Sequence, residues 1–272
     1  TPLCAVKWGG HMVSNAGAAL ALTALAGLAT GVGSLTALFA KRTGKRFLAV
    51  SLGFSAGVML YISFAEMLGK SREYLVGSFG EAGGAWLACA SFFAGMALIM
   101  LIDNLIPSPE SDLTAAKAGK HDAYLARMGV LTALAIAIHN FPEGLATFTS
   151  ALDDVSMGAA IAAAIAIHNI PEGIVTSVPI YCATGSRKKA FFVSFFSGLT
   201  EPLGALIGYL ILRPFLSGTL YGVIFGMIAG IMVYIAVEEL IPMAREYDKG
   251  NSMILGAIAG MAVMAVSIIM FM

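Results

Sequence analysis

AIAIHNFPEGLAT, residues Ala135–Thr147, returns 29 residues later as AIAIHNIPEGIVT at Ala164–Thr176, with 10 of 13 positions identical. Each copy sets His, Asn, Pro and Glu inside a run otherwise apolar enough to span a bilayer. A carboxylate near the middle of a bilayer is costly unless something compensates its charge. Few basic residues lie near either copy, so a cation is the compensation that the pattern implies.

Composition agrees with a membrane setting. Of 272 residues, 58% are hydrophobic and 12% charged, and the mean hydropathy is +0.86. That is too apolar for a soluble domain. A formal net charge of zero supplies no basic face, which excludes nucleic acid as a partner. Cys4, Cys89 and Cys182 are scattered without CxxC spacing, so neither a disulfide framework nor a thiolate metal site is indicated. Residues 1–11 read as an outer tail or a tag remnant ahead of Met12, and residues 12–272 as one transmembrane domain.

About 20 apolar residues cross a bilayer as a helix. Eight runs qualify: 13–40, 47–68, 83–106, 126–150, 157–182, 190–212, 219–242 and 252–272. The longest connection, about 107–125, is a polar loop and not a domain. The odd-numbered loops hold Lys41, Arg42, Lys45, Arg46, Lys117, Lys120, Arg127, Arg187, Lys188, Lys189, Arg245 and Lys249. The other side holds only Lys7, Lys70, Arg72 and Arg213. Positive charge stays cytoplasmic, so both termini are expected outside.

A second repeat underlies the first. Gly53–Glu66 (GFSAGVMLYISFAE) matches Gly226–Glu239 (GMIAGIMVYIAVEE) at 7 of 14 positions, offset by 173. Gly27, Leu28, Gly33 and Leu35 echo Gly198, Leu199, Gly204 and Leu206. The offset is five helices, an odd number, so the matched segments cross in opposite directions. Such an inverted repeat is typical of secondary transporters with a site at the repeat interface.

On a helix, residues four apart share a face. His139 therefore projects with Glu143, and His168 with Glu172, with Asn140 and Asn169 adjoining. Pro142 and Pro171 cannot donate to the carbonyls of Ile138 and Ile167, which inside a membrane must find another partner. Imidazole, carboxylate and amide donors suit Zn²⁺, and also Fe²⁺, Mn²⁺, Co²⁺ or Cd²⁺. A single intramembrane His or Asn serves as a hydrogen-bond partner between helices; two matched sets argue for ligation. Glu201, before Pro202, is a third interior carboxylate and reads as a ligand for a second ion shared with Glu143 and Glu172. Met59 and Met232 are repeat-related, and a thioether there is a candidate soft ligand. Glu66, Asp153 and Asp154 grade towards one face of the membrane; Asp103, Glu238 and Glu239 grade towards the other.

Eight helices, HNFPEG, HNIPEG and Glu201 resemble the ZIP (Zrt/Irt-like) family of metal transporters, in particular its bacterial zinc-uptake members. The resemblance covers the chain from about residue 15 onwards. It implies a 3+2+3 arrangement in which an inverted repeat, helices 1–3 and 6–8, surrounds helices 4 and 5. It also implies a binuclear metal centre and import of Zn²⁺ towards the cytoplasm by alternating access, with no organic cofactor. One ion would meet His139, Glu143, His168 and Glu172, with Met59 nearby; the other would meet Asn140, Asn169 and Glu201, bridged by Glu143 and Glu172. A homodimer in the lipid bilayer of a bacterial inner membrane is implied by the same resemblance. The loop between helices 3 and 4 departs from many members in holding only His121. A selective metal channel is the nearest alternative, and an embedded metal-dependent hydrolase a more distant one, since neither HExxH nor a serine–histidine pairing is found. GxxxxGK[ST] is absent, which disfavours an ATP-driven pump.

Overall fold

The computed structural model describes residues 8–39, 44–104, 121–212 and 217–271, excluding the side chains of 8–14, 36–38, 121–133, 135, 136, 139, 175, 179, 182, 183, 212 and 271. Residues 1–7 of the expected tail and residues 107–120 of the expected 107–125 loop lie outside the described residues, and 121–125 of that loop are helical instead. Among the described residues every regular element is helical. The order is α1 (Trp8–Phe39), α2 (Lys45–Ile62), α3 (Leu68–Asp103), α4 (His121–Asp153), α5 (Val155–Thr184), α6 (Arg187–Gly198), α7 (Thr200–Leu212), α8 (Gly218–Ile235), α9 (Ile241–Tyr247) and α10 (Ser252–Phe271).

Six described stretches are long and apolar enough to cross a membrane: Asn15–Leu35, Lys45–Asp103, Val155–Val178, Arg187–Ile211, Gly218–Tyr247 and Ser252–Met270. Large apolar side chains face outward along them, Leu25, Trp86, Leu210 and Ile269 among them, while Glu143, Asn169 and Glu201 are buried. That inversion is what lipid selects, because every buried polar group must be satisfied within the protein. The chain is an integral membrane protein.

Lys45–Asp103 is too long for one crossing, and it turns back at Gly80. There φ is 75° and ψ 170°, a backbone that L side chains avoid. A Cβ on Gly84 would overlap the backbone of Leu75 and Val76, so the two arms of α3 lie against each other. The sequence places the helix end near residue 68, because Lys70, Arg72 and Glu73 read as loop. In the fold these charges sit on helix, where Arg72 pairs with Glu81 across the turn and Lys70 meets Glu66 at 3.7 Å and Asp153 at 3.4 Å.

Short π-helical turns interrupt the rods at Ser63–Met67, between α2 and α3, and at Ala236–Leu240, between α8 and α9. They stand 173 residues apart, the offset of the second sequence repeat. Close backbone approaches pair in the same way. Gly57 meets the carbonyl of Ala257 as Gly230 meets that of Phe92; Gly260 meets Phe54 as Gly95 meets Met227. Nearer the motifs, Gly33 meets the carbonyl of Ile170 as Gly204 meets that of Phe141, and Gly173 meets Thr30 as Gly144 meets Glu201. At each of these glycines a Cβ would collide with the facing carbonyl, so the seams hold only because the residue is Gly.

The main apolar core lies among α2, α3, α5, α8 and α10, with Leu52, Met59, Ile62, Ile165, Phe225 and Met232 at its centre. Tyr74 stacks on Tyr221 and Phe225 at 5.8 and 6.1 Å, fastening α3 to α8. A smaller cluster of Ala19, Phe148, Leu152 and Ala205 joins α1, α4 and α7.

Two connections position the motifs. Asp154 alone links α4 to α5, and its carboxylate caps α5 by accepting from the Ser156 and Met157 amides at 2.7 and 3.2 Å. Between α6 and α7 the helix breaks at Leu199, three residues before Pro202, whose ring nitrogen cannot bond the Gly198 carbonyl. Pro142 and Pro171 do not break their helices: α4 and α5 run through them. Beside Pro171, the Ser55 hydroxyl donates to the His168 carbonyl at 3.1 Å, tying α2 to α5.

Candidate metal centre

The hairpin α4–α5 brings the two motif copies face to face. His168 Nε2 lies 3.4 Å from Glu143 Oε1 and 4.0 Å from Glu172 Oε1. One donor atom from each of the three falls within 4.8 Å of the others, and all three residues are buried. None of the four carboxylate oxygens of Glu143 and Glu172 accepts a hydrogen bond among the described residues. No Lys or Arg pairs with them there. Two buried carboxylates and one imidazole with converging donors are a set that can hold a divalent metal ion.

Beside it, the amides are held in place. Asn140 Nδ2 donates to the Ser197 carbonyl at 3.2 Å, and Asn169 Nδ2 donates to the Ala26 carbonyl at 2.9 Å. Ala26 and Ser197 correspond under the repeat that relates Gly27 to Gly198, so the two amides are anchored in matching fashion. Both side-chain carbonyls, Asn140 Oδ1 and Asn169 Oδ1, are left without a protein partner among the described residues. Glu201 is fully buried and accepts from Asn169 Nδ2 through Oε1, while its Oε2 has no protein partner among the described residues. Its carbonyl is the group against Gly144, so α7 runs directly beside Glu143.

Proteins of known name share this sequence. A family profile described as "ZIP Zinc transporter" matches residues 107–268. "Zinc transporter ZupT" of Clostridium perfringens is 51% identical, over 97% of this chain and 99% of its own. The Chlorobium luteolum protein of the same name is 54% identical, over 95% and 99%. That of Streptococcus mutans is 54% identical, over 93% and 97%. The chain belongs to the ZIP family.

In this ZIP chain the structure assembles Glu143, His168 and Glu172, and sets Asn169 against Glu201. Asn140 joins the same interior from α4. His139 is within α4, but its side chain lies outside the described residues. Met59 is wholly buried in the core, one turn beyond the Ser55 that touches the His168 backbone. Glu66 and Asp153 converge on Lys70, and the Tyr74 hydroxyl bonds Asp153 as well. At the other end, Tyr234 Oη donates to Asp103 Oδ2 at 3.3 Å.

Three residues escape a reading of the motifs. Thr30, Thr147 and Ser150 are fully buried, with hydroxyls that have no protein partner among the described residues. For Thr30 a signal exists: the repeat that matches Gly27 to Gly198 matches Thr30 to Glu201. For Thr147 and Ser150 the signal is helical spacing from Glu143.

Proposed function

We propose that this protein imports divalent transition-metal ions, zinc foremost, across the bacterial inner membrane. The observation that carries the reading is the buried Glu143–His168–Glu172 cluster in an integral membrane protein of the ZIP family. Two carboxylates deep in an apolar interior need a countercharge, and the described residues beside them supply no Lys or Arg. A dication supplies it and, bound by groups that must be deprotonated, can be released when the surroundings change. The names of the relatives, all zinc transporters, support zinc over Fe²⁺, Mn²⁺, Co²⁺ and Cd²⁺, which the same donor set also accepts.

In this reading residues 12–272 form one domain of eight crossings in a 3+2+3 order, with the α3 hairpin at Gly80 supplying the second and third. The paired glycine contacts and the paired π-turns support an inverted repeat around α4 and α5. One ion is held by His139, Glu143, His168 and Glu172, with Met59 at its edge. A second is held by Asn140, Asn169 and Glu201, with Glu143 and Glu172 shared. Both termini face outward, and two copies associate in the bilayer.

The test is uptake of Zn²⁺ into proteoliposomes carrying the purified protein, competed by Fe²⁺, Mn²⁺, Co²⁺ and Cd²⁺. Saturable Zn²⁺ entry that Glu172→Ala abolishes is the expected result. Zn²⁺ currents too fast for a carrier would replace import by alternating access with a channel, and no entry at all would overturn the reading.

A further inference from the structure

The hydroxyls of Ser and Thr inside these helices follow one habit. Thr149 donates to the Leu145 carbonyl at 2.7 Å, Thr176 to Glu172 at 2.9 Å, Ser177 to Gly173 at 2.7 Å and Thr184 to Ile180 at 2.7 Å. Each bonds back one turn within its own helix, which is how a hydroxyl is satisfied where water is scarce. Thr147 and Ser150 do not. Both are wholly buried, and neither hydroxyl has a protein partner among the described residues.

Their placement is as informative as their bonding. At about 100° per residue, positions 143, 147 and 150 fall within one narrow sector of α4. Glu143, Thr147 and Ser150 therefore line a single strip about 10 Å long, at ~1.5 Å per residue. The strip starts at the metal centre and runs towards Asp153, whose carboxylate is held by Lys70 at 3.4 Å. Away from it, Phe148, Ala151 and Leu152 pack into apolar cores, so α4 keeps its free oxygens on this one face.

We propose that Thr147 and Ser150 form an oxygen-only station for the cargo ion, between the Glu143–His168–Glu172 centre and the Asp153 end of α4. The proposal rests on the metal-transport reading. Neutral hydroxyls replace some of the water around a hydrated dication without holding it tightly. An ion stripped stepwise by Thr147 and Ser150 arrives at Glu143 already partly dehydrated. Passage needs sites strong enough to enter and weak enough to leave, and two neutral oxygens meet both demands. The strip belongs to α4 alone, because Thr176, the counterpart of Thr147 on α5, is bonded to its own helix.

The test compares Thr147→Val and Ser150→Ala, singly and together, with Thr149→Val as the control whose hydroxyl is already bonded within its helix. Proteoliposome uptake of ⁶⁵Zn²⁺ gives kcat and KM, and calorimetry on the detergent-purified protein gives equilibrium Zn²⁺ binding. The double variant should raise KM by about 10-fold, the lower bound for losing a group that orients a metal. Equilibrium binding should stay within about 2-fold of the unaltered protein, and Thr147→Ser should restore uptake. Uptake by the double variant equal to that of Thr149→Val would overturn the station. So would an equal loss of equilibrium binding, which would make the two residues supports of the centre. Absence of uptake by the unaltered protein would instead strike at the transport reading itself.

Discussion

α4 and α5 carry nearly the same thirteen residues, and they spend them differently. In α5 the last shared residue, Thr176, turns its hydroxyl back to the Glu172 carbonyl; in α4 the hydroxyl of the identical Thr147 has no protein partner among the described residues. Three residues further on, α4 has Ser150, likewise without a partner among the described residues, where α5 has Pro179, which brings no hydroxyl at all. The two copies therefore match as sequence and differ in how their hydroxyls are bonded. The same lesson appears across the outer repeat. The backbone contacts of Gly173 with Thr30 and Gly144 with Glu201 match, yet one partner brings a hydroxyl and the other a carboxylate. The backbone contacts are duplicated; the charge is not.

The comparison is broken most severely at the shared carboxylates. Glu143→Ala and Glu172→Ala should each abolish Zn²⁺ uptake while the protein still reaches the membrane, because the proposed binuclear site shares each of them between two ions. If one variant transports normally and the other does not, the centre is less symmetric than its sequence.

Next in size is the exchange of Thr30 and Glu201. Glu201→Thr, which makes the second half like the first, should cost about 10- to 100-fold in affinity for one ion, the range for losing a metal-supporting group. Equilibrium dialysis should find one tightly bound Zn²⁺ per chain where the unaltered protein holds two. Adding Thr30→Glu to that variant should return part of the second ion. No recovery would mean that the two positions, matched in backbone, do not face the same space.

Gly144→Ala and Gly173→Ala come third. Each adds a methyl group against a facing carbonyl, and overpacking of this kind costs about 1–3 kcal/mol. Thermal unfolding in detergent should show comparable losses for the two, since their contacts are equivalent. A loss confined to one would show that the two seams differ in give.

The smallest effect is expected outside the membrane. Asp248 lies just past α9 and accepts from the Gly250 amide at 2.9 Å; a bond with Ser252, together with that one, holds its carboxyl below the usual range. A group with a lowered folded pKa contributes stability above its unfolded value and loses it as pH falls through the folded one. Asp248→Asn should therefore flatten a slight acid-side decline in melting temperature and leave uptake unchanged.

Much of the molecule is legible in its residues alone. Helical type, membrane setting and the duplicated motif come from hydropathy and from two copies of HNxPEG, because those signals are local. The 173-residue repeat is legible for the same reason, and the twin π-turns fall inside it. The end of the second apolar run is not, since Lys70 and Arg72 read as loop yet lie on helix, with Glu66, Asp153 and Glu81 within reach. The state of Thr147 cannot be read either. Its sequence neighbourhood is that of Thr176, and only the packing around each helix separates them.

The link between α4 and α5 is a single residue, Asp154. One residue spans about 3.5 Å at full stretch, and here its carboxylate is already committed to the first amides of α5. The two helices therefore have no slack at that end. A shift of either one along the membrane normal drags the other with it, as the two legs of a hairpin move when one is pulled. In the proposed reading, an ion held between Glu143 and Glu172 would therefore sit between two legs whose spacing Asp154 keeps fixed.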